Sequence, residues 1–444
     1  MAKRKSAAVV DEGALVDRMF SDFSASLKSE WGGSVYVNGD EESRVICLAV
    51  PLALQFLLQQ EGFTLGRFTM LVGLPESCKS AFGYELCRIH RQAGGGFSLV
   101  ETEKKDSPTL MRSIVGYDPG RYTATYVKTA EEWQRFVRES MELLKPTMDK
   151  RLKPPRSIPW LWLVDSLAGV TTERLAEKCN DEGAATLVQP QLACILNQFF
   201  KVMPHWVEDY PFSIVGINHL KLQKDQHGHN SIRQIQGGYA PRFAESLEIE
   251  MVRMDRKQID RRMRCREQGV RLGMTVAKNS TAARGPQVIV EMLWYFEEVE
   301  LPTGELAEVQ RTYFDWPSAA IELLIKPPLD AASCREVDAI VDLHPSSKDR
   351  TVWSDALGIP ESDPLSYREA GIILEGRRDI VEALYKPLGI RRRNMFQTGV
   401  SFKEQQEKAA RRAYRLTGDG MTRGRDNGNT TPVELPVDPQ RARE

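Results

Sequence analysis

The strongest chemical signal in the chain is Gly73-Leu74-Pro75-Glu76-Ser77-Cys78-Lys79-Ser80. These residues follow the phosphate-loop pattern G-x-x-x-x-G-K-[ST], with Cys78 where the second glycine normally stands. In such a loop, backbone N–H groups and the start of the next helix cradle a polyphosphate. Lys79 is then expected to reach the β- and γ-phosphates, and the Ser80 hydroxyl to ligate Mg²⁺. Asp165 ends the apolar run Trp160-Leu-Trp-Leu-Val and has the form of an acid that holds the hydration shell of that ion. Between the two motifs lies Glu101-Thr-Glu103, whose second carboxylate is a candidate to take a proton from an attacking water. Taken singly, these are a strand-turn-helix, a capping acid and a solvated charged loop; their order along the chain favours the chemical reading. Cysteine is small, and its side chain can turn toward the protein, so the loop is expected to work with Cys78 in place of glycine. A thiol beside a helix start and Lys79 is expected to have a lowered pKa and raised reactivity.

Such residues need a scaffold that ends several strands at one edge. Runs beginning at Phe68, Phe97, Trp160 and Phe212 are continuously apolar, as in parallel strands covered on both faces. Leu247–Val252 and Val288–Phe296 read as further strands, and 81–92 and 131–144 as helices between them. This repetition predicts a doubly wound α/β core over 45–325. Before it, Leu15, Met19, Phe23 and Leu27 recur at helical spacing, and a short strand follows Gly32-Gly33. The resulting arm, 1–44, is too small to fold alone. After Lys326-Pro-Pro, 326–417 reads as a small, mostly helical region with a last helix at 402–416, and 418–444 as a disordered tail.

The 444 residues are 41% hydrophobic and 27% charged, which excludes global disorder. Lys plus Arg is 60 against 61 acids, a net charge of -1, so any nucleic-acid affinity must come from local patches. One candidate patch is the polar stretch 219–238, with Lys221, Lys224 and Arg233 and a Gly237-Gly238 close, suited to sequence-independent phosphate contact. Ile232 and Ile235 are candidates to wedge between bases. A second stretch, 253–271, holds eight Lys and Arg against three acids and reads as a basic helix. Arg377-Arg378 and Arg391-Arg392-Arg393 are weaker candidates for guiding duplex. Seven cysteines with no CxxC pair predict reduced thiols in a cytosol-like compartment. The longest apolar run, Val45–Leu58, is 14 residues, short of the roughly 20 a membrane span needs.

The motifs resemble those of RecA-type recombinases. Gly73-Leu-Pro-Glu-Ser-Cys-Lys-Ser is similar to G-P-E-S-S-G-K-T, and Asp165-Ser-Leu-Ala-Gly-Val-Thr to D-S-V-A-A-L-T. Ile217-Asn218-His219 resembles I-N-Q, Gly237-Gly238-Tyr-Ala resembles G-G-N-A, and Ala277-Lys278-Asn279 resembles V-K-N. The order holds from Leu15 to Phe296. Phage recombinases of the UvsX type also replace the last loop glycine, which is Cys78 here, and share the Asn-His pair. The resemblance implies a RecA-like P-loop ATPase core with a polymerisation arm, ATP and Mg²⁺ as ligands, and catalytic roles for Glu103, His219 and Lys278. Glu103 would activate water, His219 would sense the γ-phosphate, and Lys278 would reach the nucleotide of a neighbouring subunit. It also implies helical filaments on single-stranded DNA, pairing with homologous duplex DNA, and single-strand-binding and mediator proteins as partners in a bacterial host cytoplasm. Leu110 stands where the family has its adenine-stacking aromatic, and Ser280 where it has a second lysine.

Two other functions fit the same residues: a hexameric RecA-core helicase or motor, and a non-hydrolysing filament protein in which Cys78 disables the loop. The short arm disfavours the first. Retention of Lys79, Ser80, Glu103 and Asp165 together disfavours the second.

Overall fold

A computed structural model describes residues 45–103, 108–116, 122–153, 156–173, 188–207, 209–223, 232–235, 240–254, 268–300, 306–346, 350–397, 400 and 405. The expected arm and tail lie outside them, as does the last helix at 402–416 apart from Gln405. The apolar run 45–58 divides into β1 (Ile46–Ala49) and α1 (Leu52–Leu58), followed by β2 (Gly62–Thr64). Then come β3 (Phe68–Gly73), α2 (Lys79–Gln92), β4 (Gly96–Glu101), α3 (Pro108–Val115), β5 (Tyr122–Tyr126), α4 (Ala130–Arg151) and β6 (Trp160–Asp165). The chain continues through α5 (Val188–Val207), β7 (Phe212–Gln223), β8 (Ile232–Ile235), α6 (Ala240–Ala244), β9 (Leu247–Arg253), β10 (Gln268–Asn279), β11 (Val288–Glu300) and β12 (Leu306–Phe314).

The protein is α/β, built on a mixed ten-stranded sheet in the order β12-β11-β10-β9-β3-β7-β6-β4-β5, with β8 on β7. From β9 to β5 the strands are parallel. From β9 to β12 they are antiparallel. The parallel strands alternate between two buried faces. Leu71, Leu163, Val215 and Ile217 pack with α1 and α2. Met70, Val72, Trp162 and Val164 pack with Trp133 and Val137 of α4 and with Phe199 of α5. Burying each side chain of this size stabilises the fold by about 1.5–3 kcal/mol. Helix α4 starts at a Thr129–Glu132 capping box, which satisfies two backbone donors.

The antiparallel half departs from the sequence reading. The basic stretch 253–271, read as a helix, has strand at both ends, Arg253 closing β9 and 268–271 opening β10, and its residues 255–267 lie outside the described residues. Pairing with β9 and β11 puts Leu272, Met274 and Val276 into the core at a period of two. The flanking charges hide that alternation in the sequence.

The C-terminal residues add α7 (Trp316–Ile325), α8 (Ala331–Val341), β13 (His344–Ser346), β14 (Thr351–Trp353), β15 (Leu365–Ser366), α9 (Tyr367–Gly376), α10 (Arg378–Leu384) and β16 (Asn394–Met395). Besides the expected helices there is a small β13-β14-β15 sheet. Its strands of two or three residues are too short to show a period. Strand β16 pairs with β1, and Leu374, Leu384 and Leu388 share one buried cluster with Phe82 and Leu163. Among the described residues, no helix is long and apolar enough to cross a membrane.

Candidate active site

Adjacent parallel strands bring the sequence motifs to one edge of the sheet. The registers β3–β7 and β4–β6 set Gly73 level with His219 and Glu101 level with Asp165. Strand β7 lies between the strand that carries the phosphate loop and the strand that ends in Asp165.

A Cβ at Gly73 would sit 2.4 Å from the Met251 carbonyl oxygen and 2.5 Å from Ser77 Oγ, so the loop can leave β3 only at glycine. Leu74, Pro75 and Glu76 are exposed, Ser77 is buried and Ser80 is half-buried. The buried Lys79 ammonium donates to the carbonyls of Gly73 (3.0 Å) and Leu74 (2.7 Å) and to Ser77 Oγ (3.2 Å). Burial lowers its pKa, with Asp165, Cys78 and Glu103 acting the other way.

Cys78 caps α2 with φ 60° and ψ 26°, the left-handed conformation in which glycine is the default. Its side chain packs against the hydrophobic core, as expected of a thiol turned toward the protein. The expectation of an activated thiol is corrected. Burial raises the Cys78 pKa, and the cations of Arg253 and Lys79 only partly oppose it. Removing the thiolate from water outweighs two nearby charges. Glu76, also left-handed at φ 62°, has its carboxylate 3.5 Å from Arg253 at the end of β9.

Glu103 meets the turn at the end of β6 and a residue inside β7. Ser166 Oγ donates to Glu103 Oε1 at 2.5 Å, and His219 Nε2 lies 3.5 Å from the same oxygen. Thr102 ties this corner together. Its N–H donates to the Asp165 carbonyl (3.0 Å), and its hydroxyl both accepts from Ser166 N–H (2.9 Å) and donates to the Ser166 carbonyl (2.7 Å). Sequence reasoning passed over Thr102, Ser166 and Gly169, although all three lie inside the motifs that carried Glu103 and Asp165. Asn218, also buried, accepts from the His219 N–H at 2.8 Å.

Lys278 is not brought to this corner. It pairs with Glu248 near the start of β9, and its ammonium donates to the Arg242 carbonyl on α6. Leu110 is half-buried on α3 and packs against the core.

The polar stretch after His219 is partly ordered as strand. β7 runs on through Lys221 to Gln223 and pairs antiparallel with β8, so a hairpin grows directly out of the His219 strand. Lys221 and Arg233 lie on its two strands. Their side chains, with all of Lys224, Gly237 and Gly238, fall outside the described residues. The wedge expected of Ile235 is corrected, because that side chain is buried in the core. Among the described basic residues, Arg271 pairs with Glu291 and Glu322, Arg377 with Asp379, and Arg378 and Arg392 with Glu382.

The donor set suits a magnesium-bound polyphosphate. A glycine-dependent turn, a buried ammonium and the start of α2 provide cationic and N–H donors. The Ser80 hydroxyl and the Asp165 carboxylate are hard oxygen ligands. No family model and no curated protein matches the chain.

Proposed function

We propose that the chain is a phage recombinase of the RecA/UvsX type, an ATPase with a RecA-like core that filaments on single-stranded DNA and exchanges strands with a homologous duplex. The observation that carries this reading is the link from hydrolytic corner to hairpin. Glu103 and His219 face each other at 3.5 Å, and the strand holding His219 continues into the β7–β8 hairpin with Lys221 and Arg233. A group that senses phosphate partway along a strand can thereby order a polymer-binding segment that continues from it.

In this reading Lys79, with the N–H groups at the start of α2, binds the β- and γ-phosphates of the substrate ATP. Mg²⁺, held by Ser80 and Asp165, would supply charge neutralisation on those phosphates. Glu103 orients the attacking water and accepts its proton, and His219 reports the γ-phosphate to the hairpin. Lys278 serves the nucleotide of the neighbouring subunit.

The test is electron microscopy of the purified protein with ATP and single-stranded DNA, alongside ATP turnover with and without DNA. Open helical filaments and DNA-stimulated hydrolysis are expected. Closed rings would replace this reading with a hexameric motor. Filaments without nucleotide binding would replace it with a non-hydrolysing DNA-binding protein.

A further inference from the structure

The turn after β6 carries more constraint than a capping acid requires. Ser166 is fully buried, and the Thr102 hydroxyl holds its main chain at both N–H and carbonyl. Its own hydroxyl, fixed in that way, points at Glu103 Oε1 from 2.5 Å. Three residues on, a Cβ at Gly169 would lie 2.4 Å from Glu103 Cγ and 2.5 Å from Thr102 Oγ1. Gly169 is not among the residues with positive φ, so its backbone does not require glycine. The space is required instead, and the Glu103 side chain fills it.

We infer that Ser166 and Gly169 are positioning residues for Glu103: the turn after Asp165 is a seat that holds this carboxylate in one orientation facing His219. The inference rests on the ATPase reading proposed above and adds the device that orders its base. A glutamate side chain has three rotatable bonds and loses appreciable entropy when held in one rotamer. The seat removes that freedom before the reaction. Gly169 admits the side chain, Ser166 anchors Oε1, and the anchor sets where the second carboxylate oxygen points. A hydroxyl donated to the carboxylate also favours its ionised form, the form in which it can accept a proton from water.

The test uses the full chain and three variants. Ser166→Ala should lower kcat for ATP by up to about 100-fold, the scale of a misplaced reacting group, with KM little changed. The acid limb of its kcat profile should move to higher pH, a readout that a merely structural residue would not shift. Gly169→Ala should also lower kcat. Its loss of thermal stability should be smaller in a Glu103→Ala background, where the side chain it meets has gone. Wild-type kcat and an unmoved acid limb in Ser166→Ala, with Glu103→Gln strongly slowed, would overturn the seat and leave the ATPase reading standing. A wild-type protein that hydrolyses no ATP would instead sink the ATPase reading. The stability coupling then judges the seat alone: equal losses in both backgrounds would overturn it.

Discussion

Lys278 stands directly across the β9–β10 ladder from Glu248, three residues along β9 from Met251, which is level with Gly73. At about 3.3 Å per residue and 4.8 Å per strand, that is roughly 10 Å along the sheet and 10 Å across it from the phosphate loop. The side chain is moreover tied to the Arg242 carbonyl. Lys278 is thus too far from the Gly73–Ser80 loop to reach a group bound there in the same chain.

Lys278→Ala should accordingly leave nucleotide binding by the dilute monomer intact while reducing hydrolysis and filament stability together. Equilibrium nucleotide titration below the assembly concentration checks the first part. Lost affinity there would place Lys278 in its own site, against the geometry.

Glu103→Gln should retain nucleotide binding and slow hydrolysis by about 10²–10⁴-fold, because an amide cannot accept the proton. Lys79→Ala should differ in kind and weaken triphosphate binding as well. Single-turnover hydrolysis beside binding isotherms separates the two. Full turnover in Glu103→Gln under saturating DNA would remove this residue from the chemistry.

For Cys78 the left-handed backbone and the half-buried thiol lead to separate expectations. Cys78→Gly should keep Mg-ATP binding and change stability little, since relief of about 1–2 kcal/mol of backbone strain is offset by glycine's greater chain entropy. Cys78→Val should destabilise, because a β-branched side chain fits this conformation poorly. The raised pKa means less thiolate at neutral pH than a free cysteine has. Alkylation should therefore be slow at pH 7, accelerate only above the ordinary thiol range, and be blocked by Mg-ATP. Labelling as fast as that of free cysteine at pH 7 would contradict the burial argument.

The buried carboxyl pair Glu245 and Glu248 predicts a pH dependence of stability. Burial, followed by the hydrogen bond to Glu248, pushes Glu245 from an ordinary 4.5 up to about 9, against the pull of Lys278 and Arg242. The folded state keeps a proton that the unfolded chain releases. The stabilisation is full below the ordinary value, is lost as pH rises toward 9, and is flat beyond. Glu245→Gln mimics the protonated acid and should flatten that slope. Urea midpoints of both proteins between pH 5 and 9.5 measure it, and parallel curves would rule out the retained proton.

The local parts of this protein follow from contiguous residues. The phosphate loop is contiguous, so Gly73, Lys79 and Ser80 were legible from spacing alone. The four apolar runs became β3, β4, β6 and β7 because strands covered on both faces need continuous apolar residues. Strand order follows from tertiary pairing, and with it the meeting of Glu103 and Ser166, just past the ends of β4 and β6, with His219 inside β7. Nothing local in the chain specifies that β7 and β6 lie between β3 and β4, because pairing depends on how distant segments close on one another. Burial likewise decided the Cys78 thiol, since desolvation outweighs its two neighbouring cations and the thiol packs against the core. Gly169 shows the same division. As a letter in the Asp165 motif it carried no signal, and its role follows from the Glu103 side chain that a different strand places against it.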